Sequence, residues 1–174
     1  MNIKILRYGH RLIRDKRITT HCSLVARTFG ADEIIIYGDE DEKLKENIED
    51  VEDKWGGSFK LSFGKNWRKD CKKLAKEGYK IVHLTMYGLP VDEAAKEIRK
   101  HKKIAVFIGS QKVPPEVYSL ADYNVAVANQ PHSEVSSLAI LLDRIFQGKE
   151  LKKSFKGGKI SLAPSAEGKN ILRN

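Results

Sequence analysis

The chain has 174 residues, 41% hydrophobic and 8% aromatic, which is enough for one domain with a real core and too apolar for disorder. Its net charge is +9 with 32% charged residues, so an acidic partner is expected, and no apolar run approaches the ~20 residues that a bilayer span requires. The segment Met1 to His10 is too polar for a secretory leader and Cys22 and Cys71 form no metal-ligand spacing, which together point to a cytosolic protein with free buried thiols.

Strand-like and helix-like segments alternate along the chain. Ile3 to Leu6 predicts a short strand, and Thr19 or Thr20 caps a helix to Phe29 that Gly30 closes. Glu33 to Tyr37, with its run of three isoleucines, predicts a strand buried on both faces. An amphipathic helix follows over Glu42 to Trp55, then a strand over Phe59 to Phe63. Asn66 caps a basic helix from Trp67 to Glu77, and Lys80 to Thr85 is the next strand. Pro90 opens a helix to about Lys100, Ile104 to Ile108 is a strand, and Pro115 to Ala121 is a short helix. Tyr123 to Val127 is the last strand of the series, before a long helix from Ser133 through Phe146 that Gly148 ends. This alternation predicts an α/β fold, a parallel sheet sandwiched by helices, in one domain over 1–148. The polar tail 149–174 reads as a basic extension, packed or flexible, with one possible strand at Lys159 to Leu162.

The positive charge is segregated. Between Lys4 and Arg27 lie Arg7, Arg11, Arg14, Lys16 and Arg17 against a single acid, Asp15. Further basic runs cover Lys65 to Lys80 and the tail, with an acidic stretch from Asp39 to Asp53 between the first two. Such segregation suggests a polyanion, of which nucleic acid is the commonest, although lysine-rich helix faces are usually just solvated.

Ligands of open α/β sheets bind where strands end. Three strand exits here mix turn residues with hydrogen-bonding side chains: Leu84 to Gly88, Gly109 to Pro114 and Ala128 to Glu134. Such residues suit close backbone contact with a polar ligand, and they are equally what ordinary turns contain. No P-loop, no dinucleotide-binding glycine motif and no His-Glu-x-x-His occurs, and the five histidines do not cluster as metal ligands. A ligand at these loops should therefore need no phosphate cradle, and no metal is expected. On the first helix, Thr20, Ser23 and Arg27 share one polar face, from which Arg27 would project; the pattern alone reads more simply as a solvated arginine.

The runs Tyr8 to His21, Val25 to Ala31, Leu84 to Gly88, Gly109 to Pro114 and Val127 to Glu134 resemble the archaeal tRNA cytidine 2′-O-methyltransferases. The likeness spans Arg7 to about Gly148, and Asn129-Gln130-Pro131-His132-Ser133-Glu134 is its most specific stretch. This family lies in the SPOUT superfamily of α/β methyltransferases with a C-terminal trefoil knot. The resemblance implies a homodimer that uses S-adenosyl-L-methionine to methylate the ribose of a T-loop cytidine, position 56, in tRNA. It implies donor contacts by Leu84, by Gly109, Ser110, Gln111, Lys112 and Val113, and by Val127, Ala128, Asn129, Gln130, Pro131, His132, Ser133 and Glu134. It places Arg27 as the catalytic residue, with Arg7, His10, Arg11, Arg14 and Arg17 on tRNA. A guanidinium stays protonated, so Arg27 is expected to orient the hydroxyl and a nearby phosphate rather than remove a proton. Gln111 stands where many ribose methyltransferases carry Glu, and Thr20 and His21 where they carry Asn, so those roles are not carried over. An RNA-binding module without catalysis and a base methyltransferase are the alternatives.

Overall fold

The structure, a computed structural model, describes residues 1–110 and 112–174. Gln111, one of the expected donor contacts, lies outside the described residues. Six parallel strands form the central sheet: β1 (Asn2–His10), β2 (Glu33–Gly38), β3 (Lys60–Phe63), β4 (Lys80–Pro90), β5 (Lys103–Gly109) and β6 (Tyr123–Ala126), in the order β3-β2-β1-β5-β4-β6. The helices between and after them are α1 (Lys16–Thr28), α2 (Glu42–Trp55), α3 (Trp67–Lys76), α4 (Val91–Ile98), α5 (Glu116–Leu120) and α6 (Glu134–Phe146).

The strand period of two explains the layering. Ile3 and Ile5 of β1 face one core, shared with Cys22 and Ala26 of α1, Leu44 and Ile48 of α2, Ile98 of α4 and Leu138 and Leu141 of α6. Leu6 faces the other, with Trp67, Cys71 and Leu74 of α3, Phe107 of β5 and Val117 of α5. In β5 every residue from Ile104 to Ile108 is buried, as a central parallel strand covered on both faces requires. Both cysteines are free and buried; burial pushes the Cys22 thiol up to about 12 and the Cys71 thiol to about 11, so neither is a nucleophile.

Three elements differ from expectation. Helix α1 starts at Lys16, because Thr19 and Thr20 spend their hydroxyls elsewhere: Thr19 on the His10 ring at 2.9 Å and Thr20 on the Lys16 carbonyl. Strand β4 continues past Thr85 to Pro90. It leaves its ladder with β6 after Leu84 and rejoins at Leu89, both residues pairing with Val125, so 85–88 bulge outward. The tail carries a second strand: β7 (Ile160–Leu162) and β8 (Ile171–Arg173) form an antiparallel hairpin. Its approach segment lies on the end of α2, where the Gly57 amide donates to the Lys156 carbonyl at 2.9 Å and Lys159 pairs with Asp53 at 2.5 Å. No described helix is long and apolar enough to cross a membrane.

Candidate active site

Strands β1 and β5 are neighbours, yet the chain leaves β1 toward β2 and leaves β5 toward β6, on the opposite side of the sheet. Their carboxyl ends therefore border a topological switch point, where α/β sheets open a crevice. A cavity of about 660 Å³ lies there, beyond the ends of β4 and β5. Leu84, Ile108, Val113 and Tyr118 give it apolar walls, and Ser110, Thr85, Glu134 and Ser137 add polar groups.

The structure brings together Leu84, Gly109, Ser110, Lys112, Val113, Pro131, His132 and Glu134 on this cavity, eight of the expected donor residues. Val127, Ala128, Asn129, Gln130 and Ser133 do not line it. Val127 packs against the core, and the Ser133 hydroxyl caps α6 by accepting from the Val135 amide at 3.2 Å. The Asn129 amide donates to the carbonyls of Met86 at 2.7 Å and Gly88 at 3.3 Å, so it shapes the β4 bulge that forms one wall. Gly88 is required there: a Cβ would lie 2.5 Å from the Val125 amide nitrogen. The Ser110 amide donates to the Tyr8 carbonyl at 3.0 Å and its hydroxyl to the Gly9 carbonyl, which ties the β5 loop to the end of β1.

Sequence reasoning missed His83, Tyr118 and Ser137 on the cavity. Ser137 could have been found from Glu134, since three residues along a helix return to the same face. His83 shows no local signal. It is 1% exposed, and burial lowers its pKa, so the ring is neutral. Asn124 donates its amide to the Tyr118 carbonyl at 3.0 Å, so its oxygen accepts from His83 Nδ1 at 2.9 Å, which leaves Nε2 as the acceptor nitrogen.

The basic segment folds differently from its expected role. Arg7 is 0% exposed, so it cannot offer its charge to a phosphate; β1 turns it inward beneath α1, with one guanidinium nitrogen 3.0 Å from the Glu134 carboxylate on the cavity wall. Among the described residues its three nitrogens find no well-directed hydrogen bond. His10 is likewise buried, and burial lowers its pKa, so it is a neutral ring bonded to Thr19 and no phosphate contact. Arg11 is held by Asp15 through two contacts at 2.7 and 3.2 Å, which raises its pKa and lowers that of Asp15. Arg14 and Arg17 are exposed and carry the surface charge of this segment.

Arg27 is not a solvated arginine. Only 6% exposed, it pairs with Glu52, donates to the Gly56 carbonyl and lies 4.3 Å under the ring of Phe155 from the tail. It lines a separate cavity of about 300 Å³ and is not on the larger one beyond β4 and β5. Ser23, on the same helix face, is buried too, bonded to the Thr19 carbonyl. Among the described residues no group of three or more His, Cys, Asp or Glu is placed to hold a metal.

The fold is similar to that of solved RNA methyltransferases, among them proteins of the SpoU and TrmH type. The chain superposes on an RNA 2′-O ribose methyltransferase with a TM-score of 0.63 at 14% identity, covering 84% of this chain and 56% of that one. It is similar in fold to the TrmH/SpoU tRNA modifying enzyme of A. aeolicus, with a TM-score of 0.63 at 15% identity over 87% of this chain and 76% of that one. Sequence narrows this class. Residues 55–172 match the family model described as tRNA ribose 2'-O-methyltransferase, aTrm56. The tRNA (cytidine(56)-2'-O)-methyltransferase of Pyrococcus horikoshii is 56% identical over 174 residues, 98% of this chain and 84% of that protein. The protein of the same name from Methanothrix thermoacetophila is 55% identical over 99% of this chain and 98% of its own. The chain belongs to this tRNA ribose 2'-O-methyltransferase family.

Proposed function

We propose that the protein transfers the methyl group of S-adenosyl-L-methionine to the ribose 2′-oxygen of cytidine 56 in tRNA. Family membership over nearly the whole chain carries this reading. The cavity chemistry fits the donor: it offers apolar walls for a purine and polar groups for a ribose and an amino-acid tail, with no glycine-rich phosphate cradle. Leu84 and Val113 would flank the purine, the backbone at Gly109 and the turn at Pro131 and His132 would meet its edge and ribose, and Glu134 would accept from an ammonium group. The bound donor supplies an electrophilic methyl group on sulfur.

The protein's own residues must present the hydroxyl in line with that methyl, since positioning alone can supply much of the barrier reduction. Arg27 is the residue proposed to orient the acceptor. It stays charged, so its part is to hold the hydroxyl and an adjacent phosphate. Because Arg27 and the donor cavity are apart within one chain, the reading includes a homodimer in which a second copy supplies the arginine. It also includes a C-terminal trefoil knot within 1–148, a tail at 149–174 that packs on the body, and a cytosolic location, where tRNA substrates are found.

Catalysis is favoured over a binding module because a module that only bound RNA would have no need of a cavity suited to the donor. Mass spectrometry of nuclease-digested tRNA after incubation with enzyme and donor tests the reading. A 2′-O-methylcytidine at position 56 is expected, and methylation on a base, or none, would overturn it.

A further inference from the structure

The donor cavity occupies only one side of the switch point. Across β1, the carboxyl ends of β1, β2 and β3 border a second cavity of about 540 Å³, walled by Tyr8, Tyr37 and Trp67. Tyr8 is the half-buried member; its ring lies edge-on to Trp67 at 6.1 Å and stacks on Phe107 at 6.0 Å. Tyr37 is held by its hydroxyl, which donates to Asp70 at 3.0 Å, and by Gly64, where a Cβ would come within 2.2 Å of the ring. Any other residue at 64 would push that aromatic wall out of place.

The polar groups are suited to a ligand edge. His10, 1% exposed, lines this cavity, and its Nε2 has no hydrogen-bond partner among the described residues; a carboxylate oxygen of Asp41 is 3.9 Å away and is itself unpartnered among them. An unmade hydrogen bond of this kind is costly unless a ligand or water completes it. At the rim stand the carboxylates of Asp39 and Glu40 beside the cations Arg11 and Lys65. Aromatic walls, carboxylates for amino groups and cations for a phosphate are what an unstacked nucleotide requires. The end of β1 that borders this cavity also anchors the loop after β5 through the Ser110 amide and the Tyr8 carbonyl, so the two cavities flank the same strand end.

We propose that this second cavity holds one unpaired base of the RNA substrate, adjoining the nucleotide that receives the methyl group. The assignment rests on the RNA-methyltransferase reading and adds a recognition subsite to it. RNA-binding proteins read single-stranded segments by splaying a base onto aromatic rings, and stacking tolerates sequence while the polar edge selects.

The test is binding of T-arm RNAs, each with one abasic nucleotide near the target, to wild type, Tyr8→Ala and Tyr8→Phe, measured by fluorescence anisotropy. One abasic position should weaken wild-type binding about tenfold, the size of one lost stack, and should add nothing to the loss already caused by Tyr8→Ala. Tyr8→Phe should keep the wild-type pattern, and the Kd for S-adenosylhomocysteine should be unchanged in all three. Lys65→Glu, an exposed rim change that leaves folding intact, should weaken binding severalfold. If every abasic position costs Tyr8→Ala as much as wild type, or Lys65→Glu binds as wild type does, the subsite is overturned. Loss of ribose methylation by wild type in a parallel assay would instead overturn the enzymatic reading, and the two failures are distinct.

Discussion

At the ends of β4 and β5, Leu84 and Val113 are half-buried on the wall of a cavity, and Ser110 on the same wall is tied to the end of β1. In the segment from Arg7 to Arg27, much of the charge is spent on ion pairs: Arg7 against Glu134 and Arg27 against Glu52 beneath Phe155 are folded inward, and Arg11 pairs with Asp15 nearer the surface. The first region keeps binding capacity unspent, and the second spends most of it holding the fold together. The difference teaches that a run of positive charge is no surface until each side chain's face is known. Arg7 and Arg14 are both basic and seven residues apart, yet one is sealed under α1 and the other is in solvent.

The sharpest break of this contrast comes from Glu134. Glu134→Ala would leave the Arg7 guanidinium buried without a counter-charge and should cost about 3 kcal/mol in urea denaturation, the usual penalty for removing one partner of a buried pair. Arg14→Ala should stay within about 0.5 kcal/mol of wild type, as exposed substitutions do. Equal losses would mean that Arg7 finds other partners.

Arg27 divides the two regions more finely, because it has both a structural and a proposed catalytic use. Arg27→Lys keeps a charge near Glu52 but loses the fork, and should lower kcat about 100-fold, the scale of one misplaced transition-state donor. Phe155→Ala removes only the ring over the guanidinium. It should cost about 1 kcal/mol of stability and leave kcat within about threefold. If the two variants reduce stability and kcat in parallel, Arg27 is a strut and the acceptor is handled elsewhere.

Smaller effects belong to the exposed cations. Removing Arg14 or Arg17 should each lessen the dependence of log Kd for tRNA on log salt by about one, because each neutralised phosphate releases one condensed counterion. Arg7→Met should leave the salt slope unchanged, since a buried charge releases none.

The elements of the fold were readable because their signals are local. Three isoleucines mark β2, Asn66 caps α3 and accepts from the Lys69 amide at 3.1 Å, and Ser133 caps α6. The strand-exit loops at Gly109 and Pro131 were readable for the same reason, since turn residues concentrate where strands end. What escaped is set by contacts distant in sequence. Thr19 reads as a cap because nothing nearby reveals that His10 claims its hydroxyl, and the burial of Arg7 has no local signal because Glu134 is 127 positions away. Phe155 over Arg27 and His83 beside Tyr118 are visible only once the chain is folded.

Buried titratable groups give the gentlest test, in which signs decide. His10 and His83 have pKa values lowered by burial from the ordinary 6.5, so the unfolded chain binds protons there before the folded one does. Their contribution to stability is complete above pH 6.5 and is lost as pH falls below it. Asp15, lowered from 3.8 by Arg11, contributes fully throughout that window and loses its share only in stronger acid. Glu150 acts in the opposite sense. It is 5% exposed with both oxygens unpartnered, and burial, then Asp143 nearby, raises its pKa above 4.5. It takes up a proton more readily folded than unfolded, so acid relieves it while the histidines are being stressed. The Tm of wild type should therefore fall from about pH 7 to pH 5 less steeply than the histidines alone would make it. His83→Gln should flatten the fall further, whereas Glu150→Gln should raise the Tm at neutral pH and steepen the descent. A Glu150→Gln profile parallel to that of wild type would show that this carboxylate finds a partner and carries no stored cost.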